Sequence, residues 1–159
     1  MAADTLYVLT FIAAVTSGVM GGIFFAFSNS VMASLARVPA PSGIAAMQAI
    51  NVVILNPLFL LVFLGPAALS ALLLVAALLG WGDLETGWVS AGSVFYLVGC
   101  IVITGAFNVP RNNALDKVSA TSPEGATYWT RYLSEWTTWN HVRTAACVAA
   151  MVCFILAVQ

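Results

Sequence analysis

The stretch WTTWNHVR (Trp136–Arg143) opens the last apolar run of the chain, which continues from Thr144 to Val158. It gathers the single histidine of the sequence, an arginine, an asparagine and two tryptophans at the mouth of a predicted membrane helix. Ionisable residues at such a position are costly, and they usually face a bundle interior or a water-filled cavity. We therefore interpret the rest of the chain as the scaffold that meets this stretch.

The composition indicates a protein whose solvent is largely lipid. Of the 159 residues, 62% are hydrophobic and only 7% are charged, whereas a soluble domain carries about 25% charged residues. The net charge of -1 offers no basic field, so we expect no nucleic-acid partner. The three cysteines, Cys100, Cys147 and Cys153, lie inside apolar runs and are typical of small buried residues.

Four apolar runs are long enough to cross a bilayer. They cover, approximately, residues 6–32, 52–79, 87–107 and 139–158. The predicted fold class is all-α, an integral membrane four-helix up-down bundle that forms a single domain over residues 1–159. The lipid bilayer is its predicted surrounding partner.

Local signals predict where helices begin and bend. Ser42 is a candidate N-cap for a short helical turn, and Asn56-Pro57 indicates a helix start or a kink. Pro66 predicts a kink in the middle of the second span. Ser122, followed by proline, predicts a helix that runs almost unbroken into the fourth span. The segment from Trp81 to Trp88 is a short turn with an interfacial tryptophan at each end.

The basic residues predict the orientation. All of them fall on the side of the first and third loops: Arg37, Arg111, Lys117, Arg131 and Arg143. The positive-inside rule then places loops 33–50 and 108–138 in the cytoplasm and both termini outside.

Small residues recur every four positions in the first span, at Ala14, Gly18, Gly22 and Ala26. Such a stripe lets a neighbouring backbone approach closely. Packing within the bundle is the favoured interpretation. A homodimer through the Gly18/Gly22 face is the alternative.

The up-down topology predicts a cluster of polar and aromatic residues at one membrane face. The candidate catalytic residues are His141, Arg143, Asn140, Asn108 and Arg111. The candidate substrate-binding residues are Trp136, Trp139, Asn51, Gln48, Asn29 and Asn112. Each residue type also has a structural explanation, because histidines bond at interfaces, arginines reach lipid head groups, tryptophans form interfacial belts, and asparagines join helices. The clustering at one face favours a site.

Several chemistries have no support in the sequence. There is no carboxylate pair in the membrane, no phosphate-binding or dinucleotide-binding loop, and no nucleophile elbow. A metal site normally needs two or more His, Cys or carboxylate ligands, and His141 is the only imidazole. We therefore predict no cofactor. A haem or a metal held through His141, within one chain or across a dimer, is the alternative.

Four segments together resemble the anthrone oxygenase-like membrane proteins, a family long catalogued as a domain of unknown function. They are FFAFSNSVM (24–32), MQAIN (47–51), NVPRNNAL (108–115) and WTTWNHVRT (136–144). The resemblance extends over nearly the whole chain and is most specific in the last two segments. It implies a small four-helix membrane protein. Fungal members are associated with oxidising the central carbon of a polyketide anthrone to an anthraquinone with dioxygen.

The resemblance implies a chemical outline. An anthrone is flat and apolar, and the carbon opposite its carbonyl is acidic. His141 is the candidate base, because histidine changes protonation near neutral pH. Arg143 or Arg111, with Asn108 and Asn140, would hold the oxyanion, and Trp136 and Trp139 would stack on the rings. The alternatives are a haem- or metal-dependent membrane redox protein and a non-enzymatic module that binds lipid or a small molecule.

Overall fold

The computed structural model describes residues 2–81 and 85–159, and the described part of the chain is helical, without strands. The α-helices are α1 (Ala2–Ala26), α2 (Met32–Leu35), α3 (Ala40–Val53), α4 (Pro57–Leu78), α5 (Thr86–Val94), α6 (Val109–Asp116) and α7 (Pro123–Ala157). Three π-helical segments continue them: Phe27–Val31, Phe95–Val102 and Thr104–Asn108. The predicted turn from Trp81 to Trp88 lies partly outside the described residues, and Trp81 and Trp88 themselves are exposed.

Four continuous helices, the first to fourth spans, are long and apolar enough to cross a membrane: Asp4–Leu35, Pro57–Leu78, Thr86–Asp116 and Pro123–Ala157. The protein is therefore a multi-pass integral membrane protein of the predicted all-α class. The side of the membrane on which the termini lie stays a prediction.

The second span begins later than predicted, at Pro57 instead of residue 52. Asn56 caps it, because its side-chain oxygen accepts the backbone N–H of Phe59 at 3.0 Å. Residues 52 and 53 belong instead to α3, which begins at Ala40 after Pro39, so the prediction that Ser42 caps this helix is wrong. The second span stays helical through Pro66.

The third span does not end at residue 107 but continues to Asp116. Pro110 lacks a backbone donor, yet the helix continues through it. The π-helical segment Thr104–Asn108 precedes it, and the N–H of Val109 bonds to the carbonyl of Thr104. A π turn holds one more residue than an α turn, so it displaces the following side chains by about 100° around the helix.

The fourth span is one helix of 35 residues, as Ser122-Pro123 predicted. The hydroxyl of Ser122 accepts the N–H of Gly125 at 2.9 Å. At about 1.5 Å per residue this helix is about 52 Å long, well beyond the hydrocarbon core of about 30 Å. With Ala157 at one surface of the hydrocarbon core, the first three to four turns of the helix, which follow Pro123, project beyond the other surface. They pack with α3 and α6 into a structure that we call the cap.

The cap and the spans have separate hydrophobic cores. The membrane core is built on buried residues of all four spans: Ala13, Ala14, Met20, Phe24, Leu73, Val89, Tyr96, Cys100, Cys147, Ala150, Phe154 and Ala157. The cap core is built on Met32, Ile44, Met47, Leu115, Trp129, Tyr132 and Trp136. The two cores meet where the first and fourth spans leave the bilayer.

Close packing between the first and fourth spans uses part of the small-residue stripe. A Cβ added at Gly18 would lie 2.6 Å from the sulfur of Met151, whereas one added at Gly22 would meet nothing within 4 Å. Gly22 is exposed. Packing within the bundle therefore explains Gly18, and a homodimer through the Gly18/Gly22 face stays a prediction.

Candidate functional site

A cavity of about 460 Å³ lies at the junction of the two cores. The first span, α3 and α4 supply mostly apolar side chains, and the third and fourth spans supply most of the polar ones. The lining residues are Ile23, Phe24, Phe27, Met47, Gln48, Ile50, Asn51, Val52, Ile54, Leu55, Phe59, Leu60, Phe63, Thr104, Val109, Asn112, Asn113, Asp116, Trp136 and Arg143. Small-molecule sites have this character, with apolar walls and a few placed polar groups.

Arg143 is the charge at the inner end of the cavity. Its residue is only 5% exposed, and its guanidinium lies 4.1 Å from the ring centre of Phe24 and 5.3 Å from that of Trp136. Counted from Ala157 at about 1.5 Å per residue, it lies about 21 Å along a core of about 30 Å, and so inside the hydrocarbon region. Among the described residues, no carboxylate forms an ion pair with it.

Hydrogen bonds that Arg143 donates to two neutral residues fix the direction of its guanidinium. One Nη donates to the hydroxyl of Thr104 at 3.2 Å, and the other donates to the side-chain oxygen of Asn140. Asn140 is fully buried and is itself held, since its amide donates to the carbonyl of Phe24 at 2.6 Å and to the hydroxyl of Ser28. Asn140 thus orients the guanidinium and joins the first span to the fourth.

Two buried donors that belong to lining residues of the cavity lack an acceptor. They are Nε of Arg143 and Nε1 of the Trp136 indole, and Trp136 is only 4% exposed. A buried donor left unpaired costs about 1–3 kcal/mol, and more when it is charged.

Asn108 contacts the backbone of the lining residue Trp136 without lining the cavity itself. It is buried, and its amide donates to the backbone carbonyl of Trp136 at 3.2 Å, while its side-chain oxygen has no partner. It is not among the lining residues. Asn108 and Asn140 therefore contact Trp136 and Arg143, respectively, and do not line the cavity themselves.

The outer end of the cavity carries amides and one carboxylate. Gln48 and Asn51 line it from α3, and Asn112, Asn113 and Asp116 line it from α6. Gln48 donates to the carbonyls of Leu115 and Val118 at 2.9 and 3.1 Å, and Asn112 accepts the hydroxyl of Tyr132 at 2.8 Å. These bonds tie α3 and α7 to the end of α6.

Three candidate residues lie elsewhere. Arg111 forms an ion pair with Glu135 at 2.8 Å and donates to the carbonyl of Phe107. Trp139 stacks on Phe107 with ring centres 3.6 Å apart, and Asn29 is exposed and bonds to Ser30. None of the three lines the cavity. The π turn before Pro110 explains why Arg111 does not line the cavity, because the turn moves this residue off the helix face that Thr104 occupies.

His141 is exposed and does not line the cavity. It follows the buried Asn140 by one position, and consecutive residues on a helix point about 100° apart. Its role as a base stays a prediction, and so does its role as a ligand to a haem or a metal. Among the described residues, no group of three or more His, Cys, Asp or Glu side chains is placed to hold a metal ion.

Sequence reasoning did not identify the Asp116 carboxylate or the apolar wall that α4 forms. Asp116 is not among the predicted site residues, although it lies one helical turn after Asn112, a spacing that puts both on one face. Phe59 and Phe63 are also four residues apart and stack with ring centres 5.7 Å apart. The i, i+4 spacing was a usable signal for Asp116, whereas α4 is apolar on all sides and its phenylalanine pair marks no particular face.

Comparison with known families gives one match. The model of the anthrone oxygenase family matches residues 59–153, which is more than half of the 159-residue chain. The matched part contains the segments NVPRNNAL and WTTWNHVRT, while FFAFSNSVM and MQAIN lie before it. No curated protein and no solved structure matches the chain.

Proposed function

The chain belongs to the anthrone oxygenase family, and on that premise we propose that it is a membrane-embedded oxygenase of flat aromatic, anthrone-like or polyketide-like substrates. Dioxygen is the oxidant, and a methylene carbon opposite a ring carbonyl becomes a second carbonyl. No cofactor forms part of the proposal.

One observation supports the proposal: the buried Arg143 lines the cavity and has no anionic partner among the described residues, and its Nε and the Nε1 of Trp136, a second lining residue, lack a hydrogen-bond acceptor. A buried charge without compensation costs several kcal/mol. A ligand oxygen that becomes negative during the reaction would be stabilised by both donors. Such donors, fixed before the reaction begins, are the usual means of stabilising an oxyanion.

The cavity also suits the rest of such a substrate. Its volume of about 460 Å³ lies within the range of about 300–1,000 Å³ typical of small-molecule sites. Its walls are mostly apolar, with Phe24, Phe27 and Phe59 among them. Aromatic side chains favour flat ring systems, because offset stacking adds to the area buried.

The reaction balances with dioxygen alone. The methylene carbon loses one proton, and its electron pair spreads through the rings onto the carbonyl oxygen. The resulting anion gives one electron to O₂, and the two radicals combine to form a C–O bond at that carbon. The peroxide takes up a proton, and loss of the second carbon-bound proton with cleavage of the O–O bond leaves a ketone and water.

The two ends of the cavity match the two ends of this substrate. If the carbonyl oxygen meets Arg143 and Trp136, the opposite carbon faces the outer end, where Asp116 lines the cavity. Asp116 and Arg143 are the ionisable residues of the lining set. A carboxylate is a sufficient base where strong donors stabilise the enolate oxygen. We therefore assign proton removal to Asp116 in preference to His141, which does not line the cavity.

The oxyanion assignment is tested by Arg143→Gln in protein reconstituted into nanodiscs. Anthraquinone formation from an anthrone under air is followed by absorbance, with metal analysis of the same sample. Removing one oxyanion donor typically lowers kcat about 10²–10³-fold. Arg131→Gln is the matched control, because Arg131 is exposed and pairs with Glu135 away from the cavity. Equal activities of the two variants would overturn the assignment.

The base is tested by comparing Asp116→Asn with His141→Gln. We expect the first to lose turnover and to keep binding an anthraquinone, and the second to keep both. Loss of turnover only in His141→Gln would restore the histidine as the base. Tight binding by the wild-type protein without any turnover would favour a carrier or sensor of such molecules over an enzyme.

A further inference from the structure

We infer that the ligand enters the cavity sideways from the membrane–water boundary, through a gap between the α3–α4 junction and α6. The inference rests on the proposed function for the class of ligand. It adds the route of entry and the residues that control it.

The lining residues that reach the outer surface mark the gap. On one side, Val52 and Leu55 line the cavity although they are 71% and 65% exposed. On the other side, Val109, Asn113 and Asp116 line it and are also exposed. A residue that borders a cavity and is open to the surroundings lies at its rim, so these five residues frame an opening.

Two other directions are closed by contacts. At the inner end, Arg143 contacts the ring of Phe24 and bonds to the half-buried Thr104, which links the first, third and fourth spans. Toward the cap, Gln48 bridges α3 to the carbonyls of Leu115 and Val118. The gap at the rim therefore provides the route to the surroundings.

The helix lengths place the rim at the boundary of the bilayer. The second span begins at Pro57 and has 22 residues, about 33 Å at 1.5 Å per residue, which matches a hydrocarbon core of about 30 Å. Leu55 lies just before this span, next to the exposed Leu58. The rim therefore opens where lipid tails meet head groups.

The chemistry of the rim favours an amphiphilic ligand. One edge, Val52 and Leu55, is aliphatic, and on the other edge Asn113 and Asp116 can accept hydrogen bonds from hydroxyl groups. A hydroxylated polycyclic aromatic collects at the bilayer interface, since one part of it is apolar and another part hydrogen-bonds to water. The opening would therefore admit such molecules from the interface and disfavour anions, which Asp116 repels.

The test compares Leu55→Trp with Leu58→Trp in nanodiscs, with a hydroxyanthraquinone as the probe in stopped-flow absorbance. Leu58 is 71% exposed in the same region of the chain but does not line the cavity. A narrowed entrance slows association and dissociation together, so we expect both rates to fall about tenfold in Leu55→Trp, with Kd unchanged within a factor of about two. Leu58→Trp should keep the wild-type rates.

A second pair of variants guards against misfolding. Leu55→Cys and Leu58→Cys are purified and folded first, and a bulky maleimide is then attached, because the three native cysteines are buried. Slowing after labelling at position 55 alone supports the entrance. Unchanged rates, or a changed Kd with an unchanged association rate, would overturn it. Failure of the wild-type protein to bind the probe would instead overturn the proposed function, and this inference with it.

Discussion

The membrane core and the cap core are built from different residues for the same purpose. The membrane core contains alanines and glycines where helices touch, such as Ala13, Ala150 and Gly99. The cap core contains large aromatic residues that stack, with Trp129 and Tyr132 ring centres 5.5 Å apart. In lipid there is no hydrophobic drive to bring helices together, so close backbone approach must supply the packing energy. Beyond the bilayer, where water is the solvent, burying large aromatic rings stabilises the fold more than close backbone approach does.

The functional side chains lie where these two kinds of packing meet. Phe24 belongs to the membrane core and Trp136 to the cap core, and the guanidinium of Arg143 contacts both rings. Neither core alone forms the cavity. Because residues of the cap line part of the cavity, substitutions in the cap core should alter ligand binding as well as stability.

The largest effect is expected for Trp129→Ala in the cap core. Trp129 is buried and stacked on Tyr132, and removing a buried large aromatic typically costs about 3–5 kcal/mol. Hydrogen exchange should show loss of protection in α3 and α6, while α1, α4 and α5 keep theirs. Trp81→Ala is the control, because Trp81 is 54% exposed. Equal loss of protection in cap and spans would mean that the two cores unfold as one unit.

A smaller effect is expected for Gly99→Ala in the membrane core. A Cβ at this position would overlap the Cβ of Ala146 on the fourth span. Both atoms are fixed to backbone, so the third and fourth spans must separate, and overpacking of this kind typically costs about 1–3 kcal/mol. Thermal unfolding in detergent measures the loss. Gly22→Ala, which meets nothing within 4 Å, should leave the midpoint unchanged, and equal midpoints for both variants would contradict the close-packing account.

The four spans could be predicted from hydropathy alone. Lipid leaves a spanning segment no hydrogen-bonding partner outside its own helix, so a long apolar run has few alternatives. Capping chemistry added the start of the fourth helix at Ser122-Pro123 and the Asn56 cap of the second. The placement of Trp136, Asn140 and Arg143 on one face of the fourth span follows from their helical spacing.

The orientation of individual side chains could not be predicted in the same way. A π turn leaves no clear trace in sequence, and the one at Thr104–Asn108 rotates Arg111 away from the cavity. His141 and Asn140 are neighbours in the chain, and only the packing of the fourth span decides which of them is buried. The wall formed by α4 carries no polar residue that would have identified it.

The smallest effect is expected from the ion pair that braces the cap, Arg111 with Glu135. Both side chains are partly exposed, at 22% and 33%, and exposed pairs contribute little because water and salt screen them. Arg111→Gln should therefore shift the unfolding midpoint less than Gly99→Ala and leave anthrone turnover near the wild-type value. Glu135 also contacts Arg131, so the double variant Arg111→Gln/Arg131→Gln shows whether one arginine replaces the other. An ion pair outside the cavity can lower turnover only by destabilising the fold. Loss of turnover in Arg111→Gln with an unchanged unfolding midpoint would therefore support a direct role of Arg111 in the reaction.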